Sequence, residues 1–183
     1  WGLELVISKI KELRRILPNG KALCSLNIST KQLTYEKLAD DFVKIAKRTN
    51  IETSSIIFEI SGYAMFEKFE NVKQNLLKLR DAGFLIAVDG FSLDYTTISK
   101  IEKEPIDIIK LDRNFLENIN NNKTKEKFVK MLVDSGKDSN RLVISEGIET
   151  EEMANYVKFN GIDYGQGYYY SKPMSDDLLS DYI

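Results

Sequence analysis

Six polar side chains stand at or next to short apolar runs, and their chemical types suit metal or phosphate chemistry. They are Asn27, Glu59, Asp89, Lys110, Glu146 and Gln166. Carboxylate and amide oxygens are ligands that suit Mg²⁺, Mn²⁺ or Ca²⁺. A lysine beside such an ion can hold a water or stabilise charge on a phosphate. Taken singly, an Asp or Glu at a strand end is more often a helix cap or an ion-pair partner, Lys110 a solvated lysine and Asn27 a turn residue. Only the series of such residues predicts a pocket.

The elements that would position these residues alternate between strands and helices. Apolar and β-branched runs predict strands at 23–28, 56–60, 84–88, 106–111, 142–144 and 167–170. Apolar residues three and four apart predict helices at 3–16, 35–48, 69–81, 125–135 and 151–160. This alternation predicts an α/β fold with a parallel sheet.

Two architectures compete for this pattern, an open doubly wound sheet and a (β/α)8 TIM-type barrel. A full barrel takes ~250 residues, whereas this chain has 183 and shows about six of the eight strands. In a barrel the carboxyl ends of the strands share one face. That face would bring the polar residues together, with Gln166 the weakest member because it precedes its predicted strand.

Composition excludes several classes of function. Histidine is absent and Cys24 is the only cysteine, which removes histidine-based triads, zinc sites and an intrachain disulfide. A net charge of -2, from 26 basic and 28 acidic residues, argues against a nucleic acid polymer as partner. No apolar run approaches the ~20 residues of a membrane span. We therefore expect one cytoplasmic domain over residues 1–183, without membrane insertion.

The motifs around the polar residues resemble, in order, those of EAL domains. The matching segments are Leu-Asn-Ile-Ser at 26–29, Phe-Glu-Ile-Ser at 58–61, Ala-Val-Asp-Gly-Phe at 87–91, Ile-Lys-Leu-Asp-Arg-Asn-Phe at 109–115, Ser-Glu-Gly-Ile-Glu-Thr at 145–150 and Gly-Gln-Gly-Tyr-Tyr-Tyr-Ser-Lys-Pro at 165–173. EAL domains are (β/α)8 barrels that hydrolyse cyclic di-GMP to pGpG with Mg²⁺ or Mn²⁺. The resemblance implies that further strands and the Glu-Ala-Leu motif itself lie upstream of Trp1.

By this resemblance each matched residue acquires an expected role. Asn27, Glu59 and Asp89 would be metal ligands. Lys110 would position the attacking water, and Glu146 would be the general base or a ligand of a second ion. Gln166 would belong to the same pocket, with Glu149 and Asp112 in supporting positions. The expected partners are cyclic di-GMP, signalling domains of the same parent protein and a second copy in a homodimer.

The chain departs from the family pattern in one loop and around one metal. Gly90 replaces the second aspartate of a pair, Gly62 replaces the second glutamate of a Glu-x-x-Glu motif, and Ser92 and Asp94 replace two loop glycines. Residues 92–97 also lie in a family dimer region. Three hypotheses follow: a degenerate cyclic di-GMP receptor with weak or no hydrolysis, an active phosphodiesterase, and a scaffold that binds no nucleotide.

Overall fold

The computed structural model describes residues 2–17, 20–62, 70–90, 104–175 and 178–179. The chain divides into two compact units. The first comprises Trp1–Ile86 with Met174–Ile183, and the second comprises Ala87–Pro173. Both units alternate helices with parallel strands, which confirms the predicted α/β class.

The first unit contains four helices and two complete strands within its described residues. Their bounds are α1 (Gly2–Ile16), β1 (Cys24–Asn27), α2 (Thr30–Leu33), α3 (Leu38–Thr49), β2 (Ile56–Ser61) and α4 (Glu70–Asp81), with a 3-10 turn at Thr53–Ser55. Strands β1 and β2 are parallel, with Cys24 opposite Ile56 and Asn27 opposite Glu59. All but the last residue of β2 are buried, as expected for a strand covered on both faces.

The core of this unit forms where apolar helix stripes meet the strands. Helix α1 buries Leu3, Ile7 and Ile10, which recur at helical spacing on one face. Phe58 of β2 stacks on Phe42 of α3, with ring centroids 5.2 Å apart. Aromatic pairs at this separation add to the stabilisation from burial alone.

One side chain joins helix α4 to the start of α3. Asn75 is buried, with 1% of its surface exposed. Its Oδ1 accepts from the Ala39 backbone N at 3.2 Å, and its Nδ2 donates to the carbonyls of Leu33 and Tyr35, each at 2.8 Å. No side chain caps α3 from its own N-cap position, Lys37. Asn75 therefore satisfies a helix donor that would otherwise be buried without a partner.

The second unit continues the alternation from the end of β3. Its described elements are β3 (Leu85–Asp89, which starts in the first unit), β4 (Ile108–Leu111), α5 (Arg113–Leu116), α6 (Lys123–Asp138), β5 (Leu142–Ser145), α7 (Glu151–Phe159) and β6 (Tyr164–Gly165), with a 3-10 turn at Ile119–Asn121. Neighbouring strands pair in parallel from β3 to β6. The register aligns Ile109 with Val143 and Ser145 with Gly165. The carboxyl ends of β4, β5 and β6 therefore lie at the same edge.

The strand predicted at 167–170 is wrong. The last described strand is Tyr164–Gly165, and residues 167–170 form a turn in which the Tyr170 N donates to the Gly167 carbonyl at 3.1 Å. Three consecutive tyrosines have high strand propensity, but this turn follows directly after β6 and leaves them exposed. As a consequence Gln166 follows its strand, as Glu146 follows β5, instead of preceding it.

The helix predictions differ from the structure mainly at their ends. Helix α3 begins at Leu38 rather than Tyr35, and α6 runs beyond the predicted 125–135 in both directions. The two four-residue helices α2 and α5 were not predicted. No described helix has the length and apolar character that a bilayer crossing requires.

Candidate functional site

In the first unit, two predicted metal ligands occupy matching positions on adjacent strands. Asn27 and Glu59 are register partners at the carboxyl ends of β1 and β2. Glu59 is 8% exposed, while Asn27 is exposed. The backbone N of Ile28 donates to the Glu59 carbonyl at 2.9 Å, which extends the pairing beyond the strand end. This part of the fold thus places one amide and one buried carboxylate side by side.

In the second unit, Lys110 and Glu146 form an ion pair. Lys110 is the third residue of β4 and is 3% exposed, and Glu146 comes directly after β5. The Glu146 backbone N donates to the Leu111 carbonyl at 2.9 Å, so the register continues into the loop. Because a buried ammonium is costly without a partner, the Glu146 carboxylate offsets the desolvation of Lys110. The structure brings together the two predicted catalytic residues.

The loop that carries Glu146 is held by the segment after β6. The Gln166 N donates to the Ser145 carbonyl at 2.8 Å, and the Ile148 N donates to the Gln166 carbonyl at 3.0 Å. The Tyr169 N then donates to the Ile148 carbonyl at 2.9 Å. Gln166 therefore acts on this loop through its main chain, and its side chain is exposed.

Asp112 and Glu149 have structural partners in the same unit. The Asp112 carboxylate accepts from the Asn114 backbone N at 2.9 Å and caps helix α5. Glu149 forms an ion pair with Arg113. Arg113 also pairs with Glu117, its neighbour four residues on, at 2.8 Å. The sequence reasoning did not single out Arg113, although its spacing from Glu117 signals a helical ion pair.

Asp89 and Gly90, which stand where the family has a pair of aspartates, lie at the end of β3. Asp89 is half-buried, and its Oδ1 accepts from the Gly90 backbone N at 2.6 Å. Gly90 has a φ of +71°, in the left-handed region, and no described atom lies within 4 Å of the place a Cβ would take. A larger side chain there has room but a strained backbone. The altered loop residues Ser92 and Asp94, and the dimer region at 92–97, lie outside the described residues.

The donor set agrees in chemical type with a hard divalent ion but forms no complete cage within the described ranges. In those ranges, no three Cys, Asp or Glu side chains form a group that could hold a metal ion. Asn27 and Glu59 supply neighbouring oxygen donors, which is the ligand type that Mg²⁺ and Mn²⁺ take.

Comparison with known proteins places these motifs in a family. The model of the EAL domain matches residues 1–173. A relative from Escherichia coli K12, called probable cyclic di-GMP phosphodiesterase PdeN, is 28% identical over 180 residues; they cover 98% of this chain and 34% of the relative. A signalling protein of Caulobacter vibrioides is 28% identical over 85% of this chain and 19% of its own length. The chain thus spans at most about a third of these relatives.

Solved structures show the same fold. The EAL enzyme Bd1971 in its cAMP- and cyclic-di-GMP-bound form has a TM-score of 0.84 at 24% identity, covering 98% of this chain and 50% of that one. The FimX EAL domain from Pseudomonas aeruginosa bound to c-di-GMP has a TM-score of 0.78 at 20% identity, covering 92% and 67%. At this identity the likeness shows the fold, and the family match supplies the relationship. The chain therefore belongs to the EAL domain family, whose (β/α)8 architecture accounts for its alternating helices and parallel strands.

Proposed function

We propose that this chain is a cyclic di-GMP-binding EAL domain with weak or no hydrolytic activity, a regulatory module of second-messenger signalling. One observation carries the proposal. The Lys110–Glu146 pair is assembled at the carboxyl ends of β4 and β5, while position 90 at the end of β3 carries glycine instead of a carboxylate.

The lysine supports binding of a phosphodiester. Its side chain is buried, with 3% of the residue exposed, and it is balanced by the Glu146 carboxylate just after the neighbouring strand. A charged donor held in such a site makes stronger hydrogen bonds to phosphate oxygens than a solvated one does. Glu146, with about a quarter of its side chain exposed, is more accessible and can accept a proton from bound water.

Gly90 supports the proposed loss of hydrolytic activity. Bound divalent ions would supply polarisation of the phosphoryl group and activation of water. By resemblance to the family, Asn27, Glu59 and Asp89 are the expected ligands of the first ion, as Mg²⁺ or Mn²⁺. Gly90 has no side chain to offer a second ion, and losing one strong electrostatic stabiliser costs ~100–1000-fold in rate.

A second candidate is an active metal-dependent phosphodiesterase that gives pGpG. It is favoured by the same ion pair, because Lys110 and Glu146 are the residues that the family would use to position and deprotonate water. It is opposed by Gly90 and by Gly62, which removes the glutamate that would brace the loop after β3.

Calorimetric titration with cyclic di-GMP tests the proposal. The titration is run with Mn²⁺ and then with a chelator, and the nucleotide is recovered for chromatography. We expect saturable binding and intact nucleotide. Recovery of pGpG would favour the second candidate, and the absence of both heat and product would leave only a scaffold that binds no nucleotide.

A lysine variant with a matched control makes this test specific. Lys110→Met removes the buried ammonium and is expected to weaken binding about tenfold or more, since a charged hydrogen bond contributes on the order of 1.5–3 kcal/mol. Lys130→Met removes the same charge from an exposed position on α6 and should leave the affinity unchanged. Equal affinities in the two variants would contradict the role given to Lys110.

A further inference from the structure

We infer that Arg113 is a positioning residue that holds the loop 146–149, so that Glu146 stays paired with Lys110. Arg113 opens helix α5 after β4, whereas Glu146 follows β5. Arg113, at the end of β4, therefore acts on the loop that follows β5. The functional meaning of this role rests on the proposed function, since it is the proposal that gives Glu146 its task.

The charged end of Arg113 anchors the far end of the loop. Its guanidinium forms an ion pair with Glu149 and donates to the Glu117 carboxylate at 2.8 Å. The guanidinium has several donors in a rigid plane, so it can serve two carboxylates at once. The Glu149 end of the loop is thereby tied to helix α5, whose first turn is capped by Asp112.

The aliphatic stem of Arg113 packs against the near end of the loop. A Cβ built on Gly147 would lie 2.5 Å from the Arg113 Cβ and 2.9 Å from its Cγ, closer than such atoms approach. Gly147 also has a φ of +64°, which glycine adopts without steric cost. Because Gly147 directly follows Glu146, the stem fixes the backbone at the point where the carboxylate is presented.

The opposite side of the loop is closed by the segment after β6. The Ile148 backbone exchanges hydrogen bonds with Gln166 and Tyr169, and a Cβ on Gly167 would overlap the Ile148 main chain. The loop is thus held by backbone contacts from the segment after β6 on one side and by Arg113 on the other. Arg113 contacts the loop at two positions, Gly147 through its stem and Glu149 through its guanidinium.

These contacts make the role of Arg113 separable from a role in overall stability. The side chains of Arg113, Glu117 and Glu149 are 46%, 42% and 38% exposed. Ion pairs this exposed contribute little to global unfolding. Their effect should instead appear in the local opening of the loop.

The test measures the Lys110 ammonium by NMR in protein labelled with ¹⁵N-lysine, with its signal assigned from its disappearance in Lys110→Met. Arg113→Met keeps much of the stem and removes the charge, and we expect the hydrogen-exchange rate of the ammonium to rise about threefold to fivefold. Arg113→Lys should restore most of the protection. Glu117→Gln, which leaves the Glu149 arm intact, should resemble the wild type.

Two results would overturn the inference. One is an ammonium exchange rate in Arg113→Met that stays within about twofold of the wild type. The other is an equal rise in Glu117→Gln. A parallel titration with cyclic di-GMP separates this outcome from the proposed function. A wild type that binds no nucleotide would overturn the proposed function, while the ammonium signal, which needs no nucleotide, still decides whether Arg113 positions Glu146.

Discussion

Replacing Asn75 by alanine should destabilise the protein by about 3 kcal/mol. The side chain is buried and makes three hydrogen bonds, at 2.8, 2.8 and 3.2 Å. Each such bond contributes about 1 kcal/mol net. The Tyr35 carbonyl keeps a second partner, the Leu38 N at 3.0 Å, so the main cost comes from the buried Leu33 carbonyl and the Ala39 N–H that lose theirs.

The assay is denaturant unfolding followed by circular dichroism, with a thermal melt as a check. A loss of about 3 kcal/mol corresponds to a melting temperature lower by roughly 6–12 °C in a protein of this size. The matched control is Gln74→Ala, one residue earlier on the exposed face of α4, which should cost less than about 0.5 kcal/mol.

A near-isosteric variant tests whether the donors or the shape of the side chain matter. Asn75→Asp keeps the acceptor for the Ala39 N–H but turns an oxygen toward the carbonyls of Leu33 and Tyr35. It should therefore be at least as destabilising as alanine. If Asn75→Ala unfolds at the same denaturant concentration as Gln74→Ala, the reasoning from buried hydrogen bonds is refuted.

Three further predictions concern the site and two titratable groups. Gly90→Asp, with Gly90→Asn as the uncharged control for backbone strain, should raise Mn²⁺-dependent pGpG formation at least about tenfold; equal rates in both would contradict the role of the missing carboxylate. Burial raises the pKa of the Cys24 thiol, so Ellman's reagent should react more slowly with the native than with the unfolded protein, and equal rates would count against this. Hydrogen bonds from Arg14 and then from Ser54 lower the pKa of Glu52. The urea midpoint of the wild type should therefore be higher than that of Glu52→Gln at neutral pH, and the difference should vanish as pH falls through the lowered pKa. A difference in midpoint that grows toward acid pH would contradict this prediction.

Much of the fold could be predicted because a strand that is buried on both faces has an almost continuous run of apolar residues. The run at 56–60 is almost wholly apolar, and the structure buries β2 accordingly. The tyrosines at 168–170 misled the prediction, because propensity counts residue types and does not register the turn that starts at Gly167. Boundaries such as the start of α3 depend on Asn75, a residue 36 positions away from Ala39.

The strand-end positions of the candidate residues could be predicted from the sequence, whereas most of their contacts could not. The polar residues at strand ends were visible because parallel strands place their carboxyl ends at one edge, and the Lys110–Glu146 pair follows from that geometry. The partners of Asp112 and Glu149 were not visible. A capping bond to Asn114 and an ion pair with Arg113 depend on how helix α5 leaves β4, and sequence spacing alone does not specify that direction.

The cap that Asn75 supplies to helix α3 also bears on how the first unit folds. A helix that carries its own cap can begin to form locally, whereas α3 obtains this bond only after α4 has docked beside it. The formation of α3 is thus coupled to closure of the chain between α3 and α4, and the entropy cost of that closure opposes the formation of α3. Mutations at Asn75 should therefore slow refolding if docking precedes the transition state, and should speed unfolding alone if it follows.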